Sequence, residues 1–150
     1  MPENTKIILV PVDFEKPSAQ VISVAKKYSQ VLGAETVLLH VCQPPVVAYP
    51  EVPPTVVEHL TSELLSAARK SLDQLAANEG GLRSILKEGD PGVEIVRLLP
   101  SLKPEMIVMG THGRRGFRRI LLGSVAEYVV RHSSVPVMTV RASASEEGQG

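Results

Sequence analysis

Three glycines and a serine in the second half of the chain are spaced as in a loop that binds an anion. Gly110, Gly113, Gly123 and Ser124 form the pattern G-x2-G-x9-G-S. Glycines let backbone N–H groups approach an anion without obstruction by a Cβ atom. Gly123 and Ser124 also stand where a helix is predicted to begin, and its first N–H groups and dipole favour negative charge. The pattern therefore indicates a phosphate site, with the Ser124 hydroxyl as an additional donor.

Two features of this stretch also have a purely structural interpretation. Ser124 and Glu127 have the spacing of a capping box, in which the serine accepts a backbone hydrogen bond at a helix start. Both roles of the serine are compatible if backbone amides do most of the phosphate binding. A basic cluster at 114, 115, 118 and 119 fits a solvated surface, although one arginine could also reach a phosphate or an acidic partner.

Several other kinds of site are not supported by the sequence. The Walker pattern is absent, and Asp13-Phe14-Glu15 follows the first apolar segment where a dinucleotide fingerprint would have glycines. Asp13 could be the phosphoacceptor of a receiver domain, but the partner residues of that constellation are not evident. No group of residues has metal-ligand spacing, and we predict no catalytic residue. We interpret His112 as a loop-positioning residue and His40 as a core or pocket-wall histidine.

The elements that must position these residues follow from apolar patterning. Runs of apolar residues favour strands, and apolar residues at three- and four-residue spacing favour helices. Gly33 has the place of a glycine just after a helix, Thr55 and Glu58 have capping-box spacing, and Asp90-Pro91 resembles a helix start. Strands are predicted at Ile7–Val12, Thr36–Val41, Leu82–Glu88, Met106–Met109 and Val135–Val140, with helices at 21–32, 55–78, 91–99 and 124–132.

This alternation predicts an α/β fold: a single doubly wound domain with a five-stranded parallel sheet and helices on both faces. The first and fourth strands are the most apolar and should be central. The third is only modestly apolar and the fifth carries Pro136, so both should be edges. The strand order 3-2-1-4-5 meets these conditions. Ligands of such sheets bind beside the switch between strands 1 and 4, which selects Asp13 and the residues from Gly110 onward.

The composition is that of one cytoplasmic domain. A chain of 150 residues with 43% hydrophobic residues is expected to form a single domain over 1–150, with its core at 5–141 and a disordered tail at 142–150. Sixteen basic and sixteen acidic residues give no net charge, which argues against nucleic acid as a partner. The single cysteine, Cys42, fits a reducing compartment. No apolar run approaches the ~20 residues that span a membrane.

The motifs and their order resemble the universal stress protein family, and within it the members that bind ATP. The resemblance covers about residues 5–141 and implies a nucleotide-dependent regulatory protein of the stress response, with ATP as its cofactor. Any Mg²⁺ would arrive with the triphosphate. Glu15-Lys16 departs from the family pattern. The proline-rich loop 43–54 lies in a region that varies within the family, which leaves partner specificity open. The matching segments are Ile8–Asp13, Leu38–Val41, Ile107–Arg114, Leu121–Ala126 and Ser134–Val137.

The resemblance also implies a role for each matching residue along the nucleotide. Asp13 would hydrogen-bond adenine or ribose, and Val41 would contact adenine through its backbone. The implied binding residues are Pro11, Val12, Asp13 and Val41 at the adenosine end, Met109 and Gly110 near the ribose, and Gly113, Arg114, Gly123, Ser124 and Val125 around the phosphates.

Two other functions stay open at this point. A slow ATPase or an autophosphorylating protein would use the same pocket, although no residue stands out as a general base. A dimeric interaction module without nucleotide would use the glycine pattern only for turns and caps. The family is typically dimeric through its last strand, and the apolar edge strand Val135–Val140 favours a homodimer independently.

Overall fold

The computed structural model describes residues 5–14, 17–44, 50–111 and 122–141. Within these ranges, strands and helices alternate along the chain. The strands are β1 (Ile7–Pro11), β2 (Glu35–Cys42), β3 (Arg83–Glu88), β4 (Met106–Gly110) and β5 (Val137–Val140). The helices are α1 (Pro17–Leu32), α2 (Pro54–Asn78), α3 (Pro91–Leu102) and α4 (Ser124–His132).

The strands form one parallel sheet in the order β3-β2-β1-β4-β5. β1 is the central strand. Ile8, Leu9 and Val10 are fully buried, which requires that helices cover both faces of the strand and that other strands pair with both of its edges. It pairs with β2 along its whole length, as far as Pro11 opposite Leu39, and with β4 on the other side. The α/β fold and the strand order predicted from the sequence are confirmed.

Each face of the sheet has its own apolar core. Successive strand residues point to opposite faces, so Leu9 and Leu39 lie in one core while Ile8 and Leu38 lie in the other. α1 and α2 therefore cover one face of the sheet, and α3 and α4 cover the other. The first core is completed by Ile95, Leu99, Ala126 and Val129 of α3 and α4, and the second by Val21, Ile22, Ala25, Leu72 and Ala76 of α1 and α2.

Two predicted helix ends are confirmed. Gly33 follows α1 with a φ of 65°, the left-handed conformation that ends many helices and that glycine adopts without strain. Asp90 caps α3 by accepting a 3.1 Å hydrogen bond from the Val93 amide, and Pro91 is the first helical residue.

Both predicted capping boxes are wrong. The residues that cap α2 and α4 are Pro53 and Gly123, so Thr55 and Ser124 lie inside their helices. In α2 the fixed φ of Pro54 suits the first helical position, and the helix starts there instead of at the threonine. In α4 the Gly123 amide donates to the Thr111 carbonyl, which directs the chain so that the helix begins directly afterwards.

Other element boundaries also differ from the prediction: α1 begins at Pro17 and not at 21, several strand ends shift by one residue, and two further differences have a local cause. α3 continues past Leu99 to Leu102, because Leu102 packs against the core and Lys103 closes the last turn on the Leu99 carbonyl. β5 begins at Val137 and not at Val135. The Ser133 hydroxyl donates to the Val135 carbonyl and accepts from its amide, a local turn that competes with pairing to β4.

Gly92 allows α3 to lie close against α4. A Cβ atom on Gly92 would lie 2.8 Å from Cδ1 and 3.0 Å from Cγ of Tyr128. The Tyr128 ring is itself stacked on His132, with 4.2 Å between the ring centroids. The close approach of Gly92 to Tyr128 packs α3 and α4 together on one face of the sheet.

We expect Gly92→Ala to lower the free energy of unfolding. Alanine is intrinsically favoured over glycine in a helix by about 1 kcal/mol, but overpacking against Tyr128 costs about 1–3 kcal/mol. Urea unfolding measures the difference. In a Tyr128→Ala background the same change should be neutral or stabilising. A gain in stability from Gly92→Ala alone would contradict the close packing.

Candidate functional site

The candidate site lies where β1 and β4 end side by side. These strands are hydrogen-bonded neighbours, yet the helices that follow them cover opposite faces of the sheet. The chain therefore diverges at their carboxyl ends, which is where open α/β sheets generally bind ligands. Asp13 follows β1 after one intervening residue, Gly110 ends β4, and Thr111 comes next. The structure thus brings together the two positions that the sequence selected.

A hydrogen bond joins the end of β4 to the start of α4. The Gly123 amide donates to the Thr111 carbonyl, and the Thr111 amide donates to the Val140 carbonyl at 3.2 Å. Thr111 is buried. Thr111 and Gly123 are therefore fixed next to each other, and Thr111 is tied to the edge strand β5, which places the N-terminus of α4 beside the end of β4.

The first turn of α4 presents backbone N–H groups at this edge. Gly123 caps the helix, and its carbonyl accepts from the Glu127 amide at 2.9 Å, which closes the first turn. The amides of Ser124, Val125 and Ala126 have no acceptor within the helix, as in any helix start. They and the helix dipole favour an anion there. Ser124 is exposed, while Val125 packs against the core beside α3.

Asp13 stands in a turn that is anchored on both sides. The Val12 amide donates to the Leu39 carbonyl at 2.8 Å, which extends the pairing with β2 by one residue. Asp13 is exposed, and the Ser18 hydroxyl at the start of α1 lies 3.5 Å from its Oδ1. Phe14 has a φ of 68°, a left-handed conformation that costs a bulky residue about 1–2 kcal/mol. The turn is thus strained directly after the carboxylate.

His40 contacts this turn from the neighbouring strand. Its Nδ1 lies 2.7 Å from the Val12 carbonyl oxygen, and its ring lies over Phe14 with 4.2 Å between centroids and 40° between planes. The sequence predicted only a core or pocket-wall histidine. The signal that could have revealed more is its position near the end of β2, opposite the predicted end of β1 and its Phe14.

Three of the predicted binding residues have buried side chains. Val12 belongs to the core under α1 and α2, whereas Val41 and Met109 belong to the opposite core. A ligand at the edge of the sheet would therefore meet mainly their backbone groups, as the resemblance implies for Val41. Pro11 is half-buried at the end of β1, and Gly110 is half-buried at the end of β4.

Cys42 lies at the end of β2, close to the same edge. Its carbonyl accepts from the Gly89 amide at 3.0 Å, which ties the ends of β2 and β3 together. Burial raises the pKa of the Cys42 thiol, and the nearby Glu88 carboxylate raises it further. The thiol is therefore protonated at neutral pH and is a weak nucleophile.

Some predicted site residues lie outside the part of the chain that the structure describes. They are Gly113 and Arg114, together with His112, Arg115, Arg118 and Arg119. Among the residues at 5–14, 17–44, 50–111 and 122–141, no three His, Cys, Asp or Glu side chains are grouped to hold a metal ion. None of the helices described there is long and apolar enough to cross a membrane.

Comparisons with known proteins agree with this fold. The universal stress protein family model matches residues 4–141. Universal stress protein MJ0531 of Methanocaldococcus jannaschii is 33% identical over 141 residues, which are 91% of this chain and 82% of that protein.

Solved structures show the same arrangement. The structure of MJ0577 from the same organism has a TM-score of 0.72 at 29% identity and covers 92% of this chain and 96% of its own. A universal stress protein in complex with cAMP has a TM-score of 0.61 at 20% identity, over 92% of this chain and 98% of that one, which shows the fold alone. Because the family model spans residues 4–141 and MJ0531 is 33% identical, the chain belongs to the universal stress protein family.

Proposed function

We propose that this protein binds ATP at the carboxyl ends of β1 and β4 and acts as a nucleotide-dependent regulator in the stress response. The observation that carries the proposal is the hydrogen bond from the Gly123 amide to the Thr111 carbonyl. It sets the open N-terminus of α4 against the end of β4, within the glycine pattern that the sequence shares with ATP-binding members of the family. This is a suitable place for phosphate groups.

The other end of the nucleotide would lie across β1. Neighbouring strands are about 4.8 Å apart, so Asp13 is one strand away from Gly110 and within the length of a nucleoside. Its carboxylate is an acceptor for ribose hydroxyls or for the adenine amino group. The backbone of Val12 and Val41 would border the base, and Gly110 leaves the backbone open near the sugar. The acceptor at Asp13 and the amides at the start of α4 thus support a nucleotide that runs from its base at β1 to its phosphates at α4.

The comparison structures support nucleotides as the ligand class. One universal stress protein of the same fold was crystallised with cAMP, which combines an adenosine and a phosphate group. An adenosine site at the strand ends and an anion site at the helix start would accommodate such ligands and ATP alike. Gly113 and Arg114 are proposed to add phosphate contacts within segment 112–121.

Regulation would follow from where the phosphates bind. A ligand held by Gly110 and Gly123 would bind on both sides, along the sequence, of residues 112–121, which include a cluster of arginines. ATP occupancy would therefore change the surface that this segment offers to a partner protein. We propose that the protein works as a homodimer in the cytoplasm, whose reducing conditions fit a chain with one cysteine.

The proposal is tested by identifying any nucleotide that the freshly purified protein releases on denaturation, followed by titration with ATP. We expect released ATP or saturable binding. ATP at 100 times the dissociation constant should raise the free energy of unfolding by about 2.7 kcal/mol. A nucleotide-free protein that shows no thermal shift with ATP, ADP or cAMP would contradict the proposal and favour the interaction module.

Gly123→Val should abolish ATP binding while the protein stays folded. The φ and ψ of Gly123 are −69° and 166°, which valine adopts readily. Its branched side chain would, however, crowd the backbone groups that face the phosphates. Calorimetric titration measures the loss, and Gly123→Ala, with a smaller side chain, should bind with intermediate affinity. An unchanged affinity in Gly123→Val would remove the α4 N-terminus from the site.

The dimer proposal rests on the open edge of β5. Pro136 and Val140 direct their carbonyls to β4, so the alternate residues Val137 and Thr139 direct their backbone groups to the open edge. Thr139→Pro removes one outward N–H and spares the pairing with β4. We expect a dimer for the wild type and for Thr139→Val, and a monomer for Thr139→Pro, in sedimentation velocity at micromolar concentration. A dimeric Thr139→Pro variant would place the interface elsewhere.

A further inference from the structure

His40 holds the turn after β1 by two contacts of different kinds. Its Nδ1 lies 2.7 Å from the Val12 carbonyl oxygen, and its ring is packed on that of Phe14. A carbonyl oxygen only accepts hydrogen bonds, so Nδ1 must carry the hydrogen and donate it. One side chain of β2 therefore contacts both the residue before Asp13 and the residue after it.

The two contacts of His40 hold Phe14 in a strained backbone conformation. The φ of 68° at Phe14 belongs to the left-handed region, where bulky residues are rare. Such a conformation persists only where its surroundings over-determine it. Without the His40 contacts, we expect Phe14 to relax toward ordinary right-handed or extended conformations. That change would rotate the peptide between Asp13 and Phe14 and turn the Asp13 carboxylate away from its present direction.

We propose that His40 is a positioning residue of the candidate nucleotide site. It fixes the direction in which Asp13 presents its carboxylate to the ligand, without touching the ligand. Ser18 acts on the same carboxylate from α1, since its hydroxyl lies 3.5 Å from Oδ1. The identity of the ligand in this inference rests on the proposed function, whereas the two contacts of His40 with the turn are properties of the chain alone.

Substitutions at His40 separate its two contacts. His40→Asn keeps an N–H donor at the place of Nδ1 and removes the ring, and His40→Phe keeps a ring and removes the donor. We expect His40→Ala and His40→Phe to raise the dissociation constant of ATP on the order of tenfold, the effect of losing one internal hydrogen bond. His40→Asn should stay within about threefold of the wild type. Calorimetric titration with ATP measures all three variants.

His132 provides a matched control far from the site. Its Nδ1 lies 2.9 Å from the Tyr128 carbonyl oxygen and its ring stacks on Tyr128, so it makes the same two kinds of contact at the other end of α4. His132→Ala should lower the melting temperature and leave ATP affinity unchanged. Asp13→Ala shows how much ATP affinity is lost when the carboxylate is absent. Equal effects of His40→Ala and His132→Ala on affinity would overturn the positioning role.

A second readout does not need a ligand. In ¹⁵N-labelled wild-type protein, neutral His40 should carry its hydrogen on Nδ1, and two-bond nitrogen–proton correlation spectra distinguish the two tautomers. A neutral ring with its hydrogen on Nε2 would overturn the proposal whatever the protein binds. A protein with the expected tautomer but without affinity for nucleotide would overturn the proposed function, and with it the ligand part of this inference. The same result would support the hydrogen bond by which His40 holds the turn.

Discussion

The pairing of β1 with β4 is the constraint on which the rest of the molecule depends. These two strands are distant in sequence, but Ile8 lies opposite Met106 and Leu9 opposite Ile107. Their pairing joins the β1–α1–β2 half to the half that ends in β5. It also forces α1 and α4 onto opposite faces, because each helix must bury its apolar side against a different core. The candidate site lies at the strand ends where the chain diverges in this way.

Residues of the core contribute their backbone to this edge of the sheet. Val12, Val41 and Met109 have side chains anchored among apolar neighbours, so the peptide groups next to them are held rigidly at the edge of the sheet. The strained turn at Phe14 is the exception, because its conformation depends on contacts with another strand. Such strain is tolerated where surrounding contacts outweigh it. The site thus combines rigid strand ends with one strained turn, which His40 contacts from β2 and Ser18 contacts from α1.

The sequence predicted the sheet well and the details of the turns less well. Strand order followed from how apolar each segment is, because only strands covered on both faces can be as apolar as β1 and β4. Asp13 and Gly110 followed from the same topology. The capping residues were mispredicted, because Gly123 and Pro53 cap α4 and α2 in place of Ser124 and Thr55, although both helices begin within one residue of the predicted start. The position of His40 near the end of β2 placed it close to the turn after β1, but its contacts with the Val12 carbonyl and the Phe14 ring follow only from the geometry of the two strands.

The environment of Cys42 has a consequence for the chemical durability of the protein. Oxidants react with the thiolate and hardly at all with the thiol. Since burial and the Glu88 carboxylate raise the pKa of Cys42, the thiolate population at neutral pH is smaller than in a free cysteine. The sulfur next to the candidate site is therefore slow to form a sulfenic acid or a mixed disulfide.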